Sequence, residues 1–559
     1  MGINKKIMLK SRRNYFLASC IFLGSVSINF HGTYLAHAVP LAEKGHVTKG
    51  KGAKKNLPPE RKYAHSTKSE ELSVVADHLG SRSNQDVVSR RIMDTFTAGT
   101  SPLQILSATT PGVLFNSDDA FGLDSLANAT NMRGFGQSQL GFALDGVPLG
   151  DQTFFSGNGL DVNQAAVQEN IAGISASQGA GALEVPASEM LGGAITFTTA
   201  DPTKKRQTDI SQTFGSYSTF RTYGRFNSGE LNASGTRFYV SYARTDGNLW
   251  KGAGSQLEQQ ANAKLVQPIG QAGKLTAFFG WSNYRQDNYP NMSLNMLNKL
   301  GKNWSYLRPD YTQAYNAAVG NYTPLVASLG NATDEAFATY YDAATISRNY
   351  LSYLKYEQDW SNNFHSTTNL YAHVGSGDSE ITIGLPSPNG SNLSQNVVFM
   401  DARRLGGIQN FSYKIARHTI DAGFWYENES LSMPERLYQQ PVLGGGTPLS
   451  ATGPYVNAFA TAWESQYNTN TFQFYLQDTW NIIDNLKLSA GFKSFTQTTH
   501  GGVSYNHPIY GSPDAPSGSL TASNAFLPHF SINWTPIHNH EFYVDIAENM
   551  KAYPYTIYG

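Results

Sequence analysis

Enzyme chemistry needs particular residue types at fixed spacings, and along these 559 residues the usual spacings are missing. No His-Glu-x-x-His pair offers itself to zinc, and no Gly-x-Ser-x-Gly elbow presents a nucleophile. Gly179-Ala180-Gly181-Ala182-Leu183 is glycine-rich, but it lacks the spacing that cradles a dinucleotide. The 13 histidines are scattered, and the lone cysteine, Cys20, rules out both a disulfide framework and a thiolate zinc site. The sequence therefore predicts no catalytic residue, no metal and no cofactor. What remains is binding: aromatic side chains such as Phe154 and Phe155 beside Gly157 and Gly159, and polar ones such as Gln137, Ser138 and Gln139.

Composition narrows the class of partner. Charges nearly cancel, 41 Lys+Arg against 42 Asp+Glu, and only 15% of residues are charged, while aromatics reach 12% and glycines number 52. Such a chain is too aromatic to be mainly disordered and lacks the clustered positive charge of a nucleic-acid surface.

The N-terminus carries an address. Lys5, Lys6, Lys10, Arg12 and Arg13 precede a mostly apolar stretch from Tyr15 to Ile28, and Ala36-His37-Ala38 supplies a small-x-small cleavage signal. Residues 1–38 read as a secretory signal. A rival reading takes Leu17-Ala18-Ser19-Cys20 as a lipoprotein processing site, although the apolar run continues past Cys20. Cleavage after Ala38 leaves 36 basic and 42 acidic residues, net −6, and no cysteine, which suits an oxidising compartment. Residues 39–70 form a basic leader without apolar period, a solvated linker or, alternatively, a nucleic-acid- or lipid-binding tail.

Two grammars follow. From 71 to about 203 the pattern is that of a compact α/β domain: Gln104-Ile105-Leu106 before Thr110-Pro111-Gly112 predicts a short helix and a turn. Phe142-Ala143-Leu144 before Asp145-Gly146 predicts a strand entering a turn, and Ala194 to Thr199 a further strand. From 204 onward the period is two, in runs of about ten residues such as Phe472, Phe474 and Leu476 returning as Leu486, Leu488, Ala490 and Phe492. Long loops are expected at 283–341, 428–464 and 496–524. A sheet spans lipid only as a closed barrel, because every backbone group there must be paired. A soluble sandwich or β-helix would alternate similarly, but the order of signal, leader, compact domain and many hairpins favours an outer-membrane barrel.

The compact domain resembles the plug of a TonB-dependent outer-membrane receptor, siderophore-receptor-like in pattern. Glu71-Leu72-Ser73-Val74-Val75-Ala76-Asp77 resembles the family's TonB box, an extended segment that a partner can catch as an added strand. Asn131-Met132-Arg133-Gly134-Phe135-Gly136, then Phe142 to Leu149 around Asp145-Gly146, then Ile174 to Gly181, and Leu191-Gly192-Gly193-Ala194-Ile195 resemble four plug elements in order and spacing. Gln178 stands where the family often has Arg, so no ion pair is carried over to it.

The resemblance covers 71 to the last residue. It implies a TonB-box segment at 71–77, a plug at 78–203 and a transmembrane antiparallel β-barrel at 204–559, of about 22 strands when complete. Roughly 350 residues suffice for about 14 strands at ~24 residues per strand and loop, so the barrel is expected to be truncated at its C-terminus. For Arg133 and Asp145 the resemblance implies a structural role, a charged pair or a hydrogen-bonded turn holding the plug, with Gly134, Gly146, Gly192 and Gly193 setting the backbone. The plug tips, Gln137 to Gln139 and 151–158, are the expected ligand-facing surface; Phe154 and Phe155 could equally pack on the inner wall. The implied partners are the periplasmic domain of TonB with its inner-membrane energising complex, a ferric siderophore or similar large ligand, and the lipid and lipopolysaccharide of a Gram-negative outer membrane. The implied activity is import, with a surface adhesion protein or a passive pore as the alternatives on the same scaffold.

Overall fold

The computed structural model describes residues 85–125, 127–152, 159–179, 183–512, 517–537 and 540–553. The signal, the leader, the Glu71–Asp77 segment, Phe154 and Phe155 lie outside them.

The plug is a five-stranded sheet with a smaller sheet beside it. Its strands are β1 (Gln85–Ser89), β5 (Gly141–Leu144), β6 (Val147–Pro148), β7 (Ile171–Gln178) and β8 (Gly193–Thr199), in the order β1-β7-β8-β5-β6. Only β5 and β8 pair in parallel. The small sheet is β2 (Val113–Asn116), β3 (Ala129–Met132) and β4 (Phe135–Gly136). Two helices pack here: α1 (Arg90–Met93), and α2 (Pro102–Thr109), which opens on proline, where the missing N–H costs nothing. Leu106, Phe142, Leu144, Ile174, Ile195 and Phe197 form the centre of the core. A third short helix, α3 (Val162–Ala165), is capped by Asp161, which accepts from the Asn163 N–H.

The glycines of the expected plug elements have steric reasons. A Cβ on Gly192 would lie 2.4 Å from that of Phe135, and one on Gly193 would lie 2.1 Å from the Ser177 carbonyl. Gly193 also sits at φ +117°, where side chains are strained.

The wall is a single meander of thirteen antiparallel strands, each paired with its sequence neighbours, from β9 (Gln207–Gly215) to β21 (His540–Ala547). The strands that carry the site are β10 (Thr219–Asn227), β11 (Arg237–Asn248), β12 (Ser255–Ile269), β13 (Gly273–Asp287), β14 (Ala343–Ser361) and β15 (Phe364–Ile383). Next come β16 (Ser394–Ile415), β17 (His418–Gln439), β18 (Ala460–Ile483), β19 (Leu486–Asn506) and β20 (Ser517–Ile537). Among the described residues β9 and β21 are the two edges.

Alternation assigns the faces. On β17, Trp425, Glu427, Glu429, Leu431 and Met433 are buried, whereas Phe424 and Tyr426 are exposed. Exposed Leu354, Leu370, Val374, Leu405, Phe472 and Leu476 continue this outer apolar face. Trp360, Tyr413 and Trp480, all exposed, gather near the short turns at 362–363, 416–417 and 484–485, and exposed Trp534 lies near the end of β20, as an interfacial aromatic girdle does. No described helix is long and apolar enough to cross a membrane. The strands do so.

The strands correct the expected lengths. Strands β14 to β20 run 19 to 24 residues, not ten. At ~3.3 Å per residue, twenty residues reach roughly 66 Å, well beyond the ~30 Å of hydrocarbon. The loops shrink accordingly, to 288–342, 440–459 and 507–516. Beyond lipid the outer face need not be apolar, so Asn, Ser, Thr and Gln occupy both faces there and the period of two disappears from the sequence while the ladder continues.

The longest loop has an interior. It holds α4 (Leu294–Leu300), α5 (Tyr311–Ala317), α6 (Pro324–Ala327) and α7 (Ala332–Phe337). Ser293, Asp310, Thr323 and Asn331 cap their first turns with side-chain oxygens. Met296, Val326, Leu329 and Ala338 bury themselves between these helices.

Candidate functional site: the plug–wall interface

Polar side chains inside a barrel must find partners, and here the plug supplies them. Three groups of contacts fix it to the wall.

The first surrounds Asp145. This residue sits at φ +52° in the turn between β5 and β6, a left-handed position that Asp tolerates. Its buried carboxylate accepts from the Thr199 N–H at 2.9 Å, the Thr199 hydroxyl at 2.5 Å and the Tyr353 hydroxyl of β14 at 2.6 Å. Lys264 of β12 reaches the Thr199 carbonyl and hydroxyl, each at 3.0 Å, and pairs with Asp201 at 2.8 Å. Burial opposes charge on Asp201, yet Lys264, together with Lys274 and Lys355, outweighs it and draws the carboxyl down to about 2. The last plug strand therefore enters the wall through a continuous polar chain.

The second group grips residues 163–170. Arg221 of β10, 1% exposed, forms a two-toothed pair with Glu169 at 2.9 and 2.7 Å, and also reaches Thr245 and Gln168. Asn262 accepts from the Val167 N–H at 2.8 Å, and the Gln260 amide donates to the Asn163 carbonyl at 2.6 Å.

The third lies farther along the wall, on β16 to β18. Arg404 of β16 donates to both oxygens of Glu427, at 3.3 and 2.9 Å, and to the carbonyls of Leu149 and Pro148 at 3.3 and 3.1 Å. The Tyr371 hydroxyl donates to Glu427 at 2.6 Å and accepts from the Trp425 ring N–H at 2.7 Å. The Gln473 amide donates to the Leu183 and Val185 carbonyls. Residues after β21 join this side: the Ala552 N–H donates to the Ser188 carbonyl at 2.9 Å.

The expected site residues fall as follows. Asp145 makes a hydrogen-bonded turn, but Arg133 is not its partner. Arg133 is exposed at φ +50°, beside Gly134 at +88°, and forms no ion pair among the described residues. Gly146 follows Asp145 at φ +85°. Gln137 is buried inside the plug, accepting from the Thr130 N–H at 2.8 Å and donating to the Gln152 carbonyl. Gln139 accepts from the Gly136 N–H, and Ser138 is half-buried. Gln178 bonds Asp86 at 2.7 Å and the Pro111 carbonyl at 3.1 Å. Sequence reasoning missed Arg221, Glu169, Lys264, Arg404 and Glu427. For the four on the wall the signal was present, a charge on the inward parity of a strand whose outward parity is apolar; Glu169, in a short turn of the plug, carried none.

The β-barrel model of TonB-dependent receptor-like proteins matches residues 283–559. This stretch is a TonB-dependent receptor barrel. Solved structures extend the likeness to the plug. The open form of the ferric-catecholate import receptor Fiu from E. coli K12 superposes with a TM-score of 0.59 at 14% identity, over 84% of this chain and 70% of that one. The unliganded ferric citrate transporter FecA gives 0.59 at 16%, over 85% and 63%. The ferric yersiniabactin uptake receptor FyuA from Yersinia pestis gives 0.56 at 14%, over 84% and 67%. This chain thus spans about two thirds of their length. No curated protein matches it by sequence. TonB-dependent receptors, the structural neighbours among them, are outer-membrane proteins of Gram-negative bacteria. Proteins of this family are transporters rather than enzymes, and no group of three or more metal-binding side chains occurs among the described residues.

Proposed function

We propose that the protein imports a large, scarce ligand across the outer membrane, a ferric siderophore in the first instance, driven by TonB. The observation that carries this reading is a folded plug bonded to the wall through β10, β14 and β16. A filled lumen does not conduct passively, and the outer membrane has no ATP of its own, so opening requires work from elsewhere. Glu71 to Asp77 is the segment through which the TonB periplasmic domain would deliver it, as an added strand. The ligand would first meet Ser138 and Gln139 of the plug, with Phe154 and Phe155, and the helical loop at 288–342, whereas Gln137 is turned into the plug. Siderophore receptors among the structural neighbours support the choice of ligand class. The test is deletion of Glu71 to Asp77: uptake of the labelled ferric chelate should collapse while its binding to cells persists. Undiminished uptake would refute energised import and favour a passive pore.

A further inference from the structure

Where Arg404 meets the plug, negative charge exceeds positive. Glu427 and Glu429 of β17 and Glu189 of the plug line a void of about 10 Å³ with Arg404, Trp425, Thr471 and Gln497. The guanidinium is committed to Glu427 and to two plug carbonyls. Glu429, 4% exposed, has an oxygen with no hydrogen-bond partner among the described residues. Glu189 is 3% exposed and stands on the plug side of the same void. Such a space admits one water and no more. Three carboxylates around one guanidinium leave an excess of negative charge out of water, which like-charge repulsion and desolvation both oppose.

We propose that this junction is a proton-binding site, in which the plug seats on the wall by taking up a proton on Glu189, bridged to Glu429 through the water-sized void. The proton supplies the missing donor, and unseating the plug returns Glu189 to water and releases it. The charged groups around Glu189 are Asp151 on the plug, Arg404 on β16, Glu427 and Glu429 on β17, and Lys551 after β21. Burial first, and Asp151 second, push the Glu189 carboxyl up to about 8, against the opposing pull of Lys551 and Arg404. A group whose seated value lies above its free value of 4.5 favours seating fully below 4.5 and loses that contribution as pH rises toward about 8.

The experiment uses the full chain in outer-membrane vesicles, with Ala187→Cys as the reporter and Cys20 replaced. Maleimide labelling is normalised at each pH to the urea-unfolded chain, which removes the titration of the thiol itself. Normalised accessibility should rise by up to about tenfold per pH unit between pH 5 and 8 and level off above. In Glu189→Gln, which mimics the protonated side chain, it should remain low and flat. A flat wild-type profile would overturn the proposal, as would an equal rise in Glu189→Gln. Glu429→Gln provides a second arm: it should reduce the slope while leaving the plug seated, and an unchanged slope would exclude the bridge.

Discussion

Asp145 offers the sharpest test of how the plug is held. Asp145→Ala removes one acceptor group and strands three buried donors, the Thr199 N–H, the Thr199 hydroxyl and the Tyr353 hydroxyl. A buried group left unsatisfied costs about 1–3 kcal/mol; the two hydroxyls can rotate, so the lower end applies, roughly 3 kcal/mol together. Alanine at φ +52° adds about 1 kcal/mol. The total, about 4 kcal/mol, corresponds to nearly three decades in an opening equilibrium. Tyr353→Phe removes only one donor and leaves Asp145 two bonds, so about 1 kcal/mol and less than tenfold are expected. Hydrogen exchange in detergent micelles reads both, through the paired amides of β5 and β8. In the double variant Tyr353→Phe should add almost nothing, because its partner is already gone. Additive effects, or less than threefold loss of protection in Asp145→Ala, would show that the turn is not an anchor.

Two further substitutions probe other parts of the interface. Glu169→Gln leaves Arg221 buried with its charge uncompensated, and the loss of plug stability should approach ~3–5 kcal/mol, measured as a fall in the denaturant midpoint of β7 and β8 protection. Gly193→Ala drives a methyl against the Ser177 carbonyl at a φ of +117°, and the plug should lose at least ~2 kcal/mol, checked by thermal melting.

Much of this was legible in the residues, and the failures have physical causes. Gln104-Ile105-Leu106 before the Thr110-Pro111-Gly112 turn announced α2, and the alternation of β18 announced a wall strand with the right faces. Alternation faded above the membrane because water, unlike lipid, imposes no apolar outer face, so the strands outran their signal. The helices of the long loop were also written locally, in Ser293, Asp310, Thr323 and Asn331, but caps without a long apolar period are weak signs of such short helices. Contacts between distant residues were the hardest to see. Tyr353 meets Asp145 across 208 positions, and only the packing of the plug against the wall brings them together.

The attachments differ in kind from one side of the plug to the other. Residues 163–170 and 199–201 are held through Arg221–Glu169 and Lys264–Asp201, paired opposite charges withdrawn from water. The carbonyls of residues 148–149 accept from the Arg404 guanidinium and those of 183 and 185 from the neutral Gln473 amide, beside an excess of carboxylates. Edge strand β1 pairs only with β7, and Gln85 lies opposite Ser177, two residues before Gly179. A pull on the chain ahead of Gln85 therefore loads the Asp86–Gln178 bond and the end of β7 that leads into residues 183–189. At 178 a neutral amide donates to the Asp86 carboxylate, so that bond has one charged partner where an arginine would supply two. Such a pull would act first on the β1–β7 end of the plug, while Arg221–Glu169 and Lys264–Asp201 hold residues 163–170 and 199–201 to the wall.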